Sequence, residues 1–250
     1  MRRWRCAAVV GVTLVLAAMS GCATPGRLGA ERVTFDSFER DPATGLPVRI
    51  TALLFRPEGT SDEPRAAVVA LHGCGGMYST LPSRHDDLSL RHRAMAELLT
   101  REGYAVLFPD SFRPRGRDEI CTLENRRRTI TVTTRRQDAQ GALAYLQTRP
   151  DIAPDRVATL GWSHGGSAVL ATLNARVPAA AAWKDRPAAP AYFRAGVAFY
   201  PGCAESLRGR GGYSVAAPLT LFIGGADDWT APQPCVDLAD RLVAAGEPVT

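Results

Sequence analysis

Residues 66–71, 104–108, 157–161, 195–200 and 219–224 are short runs with scarcely a polar side chain among them. A strand with one face in water alternates apolar and polar residues, whereas a strand covered on both faces has no reason to. These runs therefore predict the inner strands of a parallel sheet. Between them, residues 88–101 (apolar at Leu90, Met95, Leu98 and Leu99), 137–148, 164–176 and 235–245 read as helices. Residues 33–38 and 48–56 precede this pattern, close enough together to pair antiparallel. Strands alternating with helices predict an α/β fold, a three-layer α/β/α sandwich with a mostly parallel sheet and right-handed crossovers. No repeat or shift of composition divides the chain, so residues 33–250 read as one domain. With 46% hydrophobic and 22% charged residues, 250 residues can bury a sizeable core. That balance excludes a disordered tail, a collagen-like repeat and a small disulfide-stapled scaffold.

The first residues read differently. Arg2, Arg3 and Arg5 precede an almost wholly apolar stretch, residues 6–18, and then Met19-Ser20-Gly21-Cys22. A cationic start, a short apolar run and small residues at a cleavage point describe an export signal over residues 1–21. The apolar part is too short for a stable span, which takes roughly 20 residues. The Ser20-Gly21-Cys22 ending resembles a bacterial lipobox, with Cys22 acylated and the chain anchored on the outer side of the cytoplasmic membrane. Met19 stands where leucine is usual, and signal cleavage with release is the alternative. Residues 22–32 read as a tether. The formal charge of +5 includes those three early arginines, and the rest of the chain is close to balanced. Nucleic acid is not an expected partner.

Export also bears on the cysteines. Cys6 leaves with the signal, which leaves Cys74, Cys121, Cys203 and Cys235 besides Cys22. Their spacings suit no zinc site, so no metal is expected. An oxidising compartment permits disulfides in any of three connectivities, with free buried thiols as the alternative.

In such sheets the active site lies beyond the carboxyl ends of the strands. After the run ending at Leu160 comes Gly161-Trp162-Ser163-His164-Gly165-Gly166, then an apolar helix. This is G-x-S-x-G between strand and helix. The tight turn strains the serine backbone, excludes bulk at 161 and 165, and lifts the hydroxyl above the sheet. It also sets Ser163 at a helix N-terminus, which favours developing negative charge. Ser163 is the candidate nucleophile; the bland alternative is a glycine-rich packing turn. After Leu71 comes His72-Gly73-Cys74-Gly75-Gly76, a loop whose backbone N–H groups are unobstructed. The N–H groups of Cys74 and His164 are the candidate oxyanion hole, each worth roughly 3–4 kcal/mol in the transition state. Cys74 lies on that loop and not on an elbow, so it is not a nucleophile candidate. His72 reads as a structural hydrogen-bonding residue. The last run leads into Gly224-Gly225-Ala226-Asp227-Asp228-Trp229-Thr230, where Asp227 is the candidate carboxylate to orient a catalytic histidine. Asp228 reads as a turn or cap residue, and two aspartates in an ordinary turn are the alternative.

Together with Pro109-Asp110-Ser111-Phe112-Arg113-Pro114-Arg115-Gly116 and Tyr200-Pro201-Gly202-Cys203, these motifs resemble the α/β-hydrolase superfamily, and within it the dienelactone hydrolase family. The resemblance covers residues 33 to 250. It implies hydrolysis of a small ester, thioester or lactone through an acyl-enzyme, without a cofactor. It also implies that the strands at 66–71 and 104–108 are neighbours, as are those at 195–200 and 219–224. That favours the pairs Cys74–Cys121 and Cys203–Cys235.

Two departures stand out. Dienelactone hydrolase proper has a cysteine nucleophile and a glutamate in the loop after the third strand, where this chain has Ser163 and His72; the dienelactone substrate is not carried over. The family also places its triad histidine after the acid, beyond one more helix and strand. Here His72, His85, His92 and His164 all precede Asp227. The expectation is a fold truncated at its C-terminal strand and helix, with the histidine among the lost residues. Recruitment of His72, or less readily His85 or His92, is one alternative. A catalytically inactive envelope lipoprotein acting as a binding protein is another. Without that histidine very little activity is expected, since losing a triad member costs on the order of 10⁶ in kcat. An open sheet edge is expected as well.

Arginines complete the reading. Arg113 and Arg115 follow a strand end, where a guanidinium would hold a substrate carboxylate; with Trp229 they are the candidate substrate contacts, and a solvated loop is the bland alternative. Arg126-Arg127-Arg128 and Arg135-Arg136 read as a solvated helix face, the sharper alternative being contact with anionic lipid or a polyanion.

Overall fold

The computed structural model describes residues 29–59, 61, 63–177, 192–209 and 211–250. The expected export signal, Cys22 and most of the tether lie outside the described residues. The strands are β1 (Ala30–Arg40), β2 (Pro47–Phe55), β3 (Arg65–Leu71), β4 (Ala105–Pro109), β5 (Ile152–Trp162), β6 (Gly196–Phe199) and β7 (Leu219–Phe222). The α-helices are α1 (Leu90–Arg101), α2 (Val132–Gln147), α3 (His164–Leu173), α4 (Ala204–Arg208) and α5 (Gln233–Ala244).

The strands form one sheet in the order β1-β2-β4-β3-β5-β6-β7. β1 pairs antiparallel with β2 and β2 antiparallel with β4; every pairing from β4 to β7 is parallel. This is the α/β-hydrolase arrangement. The unbroken apolarity of the inner runs has the cause expected of it. Val69, Leu71, Ala105 and Leu107 pack with α2, α3 and α5 on one face. Their alternates Val68, Ala70, Val106 and Phe108 pack with Ala96 of α1 on the other. Successive strand residues point to opposite faces, so both sets must be apolar.

Beyond β7, Val249 bridges Leu219 in parallel. The Leu219 N–H donates to Pro248 O at 2.9 Å, the Thr250 N–H to Leu219 O at 3.0 Å and the Leu221 N–H to Thr250 O at 2.7 Å. Residues 248–250 thus continue the sheet past β7. On the face carrying α1, the rings of Phe108, Trp162, Phe199 and Phe222 stack in series, with centroids 6.4, 5.9 and 5.0 Å apart. Phe222, at the end of that series, is 53% exposed.

Helix α2 starts five residues before its predicted beginning. The β-branched run at 129–134 argues against helix by propensity, but the Thr131 hydroxyl caps the first turn by accepting the Thr134 N–H at 3.2 Å. Tertiary burial holds the rest: Thr134, Arg135 and Arg136 are all buried. Reading Arg135 and Arg136 as a solvated face is therefore corrected. α2 lies close on β1, and a Cβ added at Gly141 would fall 2.4 Å from Asp36 O. Propensity alone makes Gly141→Ala stabilising by about 1 kcal/mol. Against a backbone oxygen the expected outcome is a net loss of about 1–3 kcal/mol, read as a lower urea midpoint.

Candidate active site

Between β3 and β5 the sheet changes direction of winding, and the loops after the two strands face each other across that switch point. Ser163 sits on the turn out of β5 with φ 51° and ψ −118°, a conformation that costs a non-glycine residue about 1–3 kcal/mol. Its neighbours show why the turn needs glycine. A Cβ at Gly165 would lie 2.0 Å from Leu71 O, and one at Gly161 would lie 2.3 Å from Gly165 O. The Ser163 N–H donates to Phe199 O at 2.9 Å, tying the turn to the end of β6. Ser163 is half-buried, and its hydroxyl has no hydrogen-bond partner among the described residues.

The loop after β3 lies directly against this turn: a Cβ at Gly73 would meet Trp162 O at 3.4 Å and the Ser163 Cβ at 3.7 Å. Gly76 closes the loop at φ 80°, with Asp118 O in the place of a side chain. Neither the Cys74 N–H nor the His164 N–H, first in α3, donates to a described acceptor. Both are available to an oxyanion beside Ser163. Cys74 is joined to Cys121 and Cys203 to Cys235. The first disulfide, reinforced by the Ile120 N–H donating to Cys74 O at 2.8 Å, fastens residues 117–131 to the loop after β3. A bridge closing a loop of this length stabilises by about 2–4 kcal/mol.

Asp227 occupies the turn after β7. Its Oδ1 accepts the N–H groups of Trp229 at 3.0 Å and Thr230 at 2.8 Å, which shapes the turn. Trp229 and Thr230 line the same cleft as Ser163, a space of about 590 Å³ also bordered by Cys74, His164, Arg128 and Glu205. Trp229 is 82% exposed at its rim. Among the described residues no cluster of three or more His, Cys, Asp or Glu could hold a metal ion.

Arg113 and Arg115 do not border the cleft, which corrects their candidacy as substrate contacts. Arg113 is held by Asp86 at 2.8 Å, Asp118 at 3.0 Å and the carbonyl of His85, and lies 3.7 Å over the Tyr78 ring. Arg115 binds Glu39 and both oxygens of Asp138, itself fully buried. Apart from Asp118, five residues from Arg113, these acidic groups are more than twenty residues away, so no local pattern reveals the pairing. The arginine that does reach the cleft is Arg128, which donates to Leu123 O at 3.0 Å and Cys121 O at 3.3 Å. It belongs to the run read as solvated, and these carbonyls hold it.

The Dienelactone hydrolase family profile matches residues 50–249. The chain belongs to this family. A Mycobacterium tuberculosis protein bearing a provisional phosphoribosyl transferase name is 33% identical over 185 residues, 72% of this chain and 33% of that protein. Quorum-quenching protein AidA of Acinetobacter baumannii is 33% identical over 125 residues, 50% of this chain and 36% of its own. The chain thus spans about a third of the length of the curated relatives it matches. Among solved structures, Thermogutta terrifontis esterase 2 phosphoramylated by tabun has 19% identity and a TM-score of 0.61, covering 88% of this chain and 81% of that one. At that identity the likeness concerns the fold.

For a dienelactone hydrolase family member the chemical question is where a proton on Ser163 would go. All four histidines are described, and none hydrogen-bonds its hydroxyl. His72 is completely buried: its Nδ1–H donates to Gly73 O at 2.8 Å, and its Nε2 accepts the Ser111 N–H at 3.3 Å. Burial, with Arg135 adding to it, holds its pKa well below the ordinary value. This is the structural part the sequence suggests, and it removes His72 as a substitute base. His92 lies against Trp162, centroids 4.9 Å apart, and burial lowers its pKa to about 4. His85 pairs with Asp86 on the surface. His164 has its pKa lowered to about 3, first by burial and then by Arg135 and Arg128.

Three imidazoles are therefore neutral in the fold and protonate near pH 6.5 when it opens. The unfolded chain then binds more protons, so stability rises with pH across this window. Their contribution is complete above about pH 6.5 and is lost as pH falls toward about 4 for His92 and about 3 for His164. Urea midpoints measured from neutral pH downward should decline steadily. His92→Gln should flatten the slope by one proton, about 1.4 kcal/mol per pH unit; an unchanged slope contradicts the assignment.

Proposed function

We propose that this chain is a serine hydrolase of small carboxylic esters, thioesters or lactones, acting through an acyl-enzyme on Ser163. The observation that carries the reading is the strained Ser163 backbone, which sets a partnerless hydroxyl at the start of α3 inside the cleft. In the acylation step the Ser163 oxygen bonds to the substrate carbonyl carbon, the bond to the leaving oxygen or sulfur breaks, and the proton that Ser163 gives up ends on that atom as an alcohol or thiol. The Cys74 and His164 N–H groups receive the negative charge that develops on the carbonyl oxygen. Water then cleaves the serine ester and restores the hydroxyl. Asp227, in the turn after β7, is the candidate carboxylate to orient a catalytic imidazole. Membership of the dienelactone hydrolase family and the fold shared with an esterase support the same reading.

A second reading, a binding protein using the same cleft, is favoured by one observation: none of the four histidines hydrogen-bonds the Ser163 hydroxyl. In either reading we propose an exported chain anchored through an acylated Cys22, with cleavage and release as the alternative; the support is the cationic and apolar start before Ser20-Gly21-Cys22.

With no histidine on the serine, the 250 residues should hydrolyse a nitrophenyl ester far more slowly than about one turnover per second, an ordinary enzyme rate being near ten. Turnover at that rate or faster, lost in Ser163→Ala, would show that another group serves as base. A fluorophosphonate should label Ser163 slowly, and complete resistance to labelling favours the binding protein.

A further inference from the structure

Arg135 of α2 is a buried cation without a carboxylate partner. Its residue is 0% exposed, it forms no ion pair among the described residues, and its Nε and Nη2 have no hydrogen-bond partner. Asp138 is already held by Arg115 and by the Ser37 hydroxyl at 2.6 Å. Asp110 accepts the N–H groups of Phe112 and Arg113. Removing a guanidinium from water on these terms costs several kcal/mol, so a purely structural position would favour an apolar side chain. What the guanidinium does hold is the ring after the candidate nucleophile: its Nη1 donates to His164 Nδ1 at 3.2 Å.

That bond decides the state of the ring. Arginine has donors and no acceptor, so His164 Nδ1 must offer a lone pair and the ring proton must be on Nε2. His164 Nε2 has no protein partner, yet it is not among the buried partnerless atoms, where His92 Nε2 is found. It is therefore reachable from the cleft that His164 lines beside Ser163. We propose that Arg135 is a positioning residue that fixes the His164 imidazole as a neutral Nε2–H donor to an acceptor oxygen of the bound substrate. The identity of that substrate as an ester or its acid product rests on the proposed function; the state of the ring does not.

The charged and titratable groups around His164 agree with this assignment. Arg135 faces it from α2 and Arg128 from the loop before that helix, both cationic, with His72 behind it in the loop after β3. Glu205 of α4 is the acidic group on the cleft wall. A second proton on the ring would be buried beside two guanidinium groups. The donor is then constant through the neutral range. The same lock bars His164 from taking the Ser163 proton, since Nε2 already carries one and Nδ1 is occupied.

The test is ¹⁵N-imidazole spectroscopy of the full chain between about pH 5 and pH 8, where an ordinary histidine changes charge. His164 should show the Nε2–H tautomer throughout, without titrating. Adding butyrate, an acid product with two acceptor oxygens, should shift the His164 Nε2 signal and leave His92 unmoved. In Arg135→Met the His164 tautomers should mix and the ring should begin to titrate in this window. A wild-type ring in the Nδ1–H form, one titrating near the ordinary value, or a Nε2 signal indifferent to saturating butyrate overturns the proposal, even where Arg135→Met fails to fold. Failure of the fluorophosphonate to label Ser163 would remove the hydrolase reading and leave these ring measurements standing.

Discussion

The site depends on how closely two backbones approach at the middle of the sheet. The turn after β5 presses against the end of β3 so tightly that Gly165 has the carbonyls of Leu71 and His72 where a side chain would be. Strand, turn and helix can meet at this distance only without Cβ atoms, and the strain of the turn falls on Ser163 between them. The same approach brings the loop after β3 against Ser163 and leaves the N–H groups of Cys74 and His164 without other acceptors. The geometry of the candidate site thus follows from one packing constraint, with the bridge to Cys121 holding the loop in place.

Around that centre the chain puts arginine to three different uses. Arg115 sits in a cage of Glu39 and Asp138, which ties β1 to the end of β4 and to α2. Arg113 clamps the surface loops through Asp86 and Asp118. Arg135 is buried with an imidazole in place of an acid, and burial lowers even its pKa to about 10. A guanidinium keeps its charge where an ammonium would shed it, so it can serve as a fixed cationic donor inside the protein. The result is a site with three neutral histidines, two of them buried, and no imidazole hydrogen-bonded to the serine hydroxyl, an organisation suited to holding oxygen atoms.

The fold was largely legible because its signals are local. Unbroken apolarity marks strands covered on both faces, and every such run from residue 66 onward lies in the sheet. Helix boundaries were less legible: α2 begins under a β-branched run because Thr131 caps it and the interior buries its first turn. Ser163 and its flanking glycines were legible because the steric demand of the turn is written into adjacent residues. The turn that holds Asp227 was legible by its position after a strand. The arginines were not, because a guanidinium reads alike in sequence whether solvated, caged by acids or buried against a histidine.

By itself, then, the sequence determined the alternation of strand and helix, the glycine-bounded serine turn and the supply of four cysteines beyond residue 22, since each depends on neighbours along the chain. Only the tertiary structure decided which arginine reaches the cleft, which histidines stay neutral and which face of α2 is hidden. Those outcomes depend on desolvation and on partners dozens of residues away, and both come into being only when the sheet and its helices close around them.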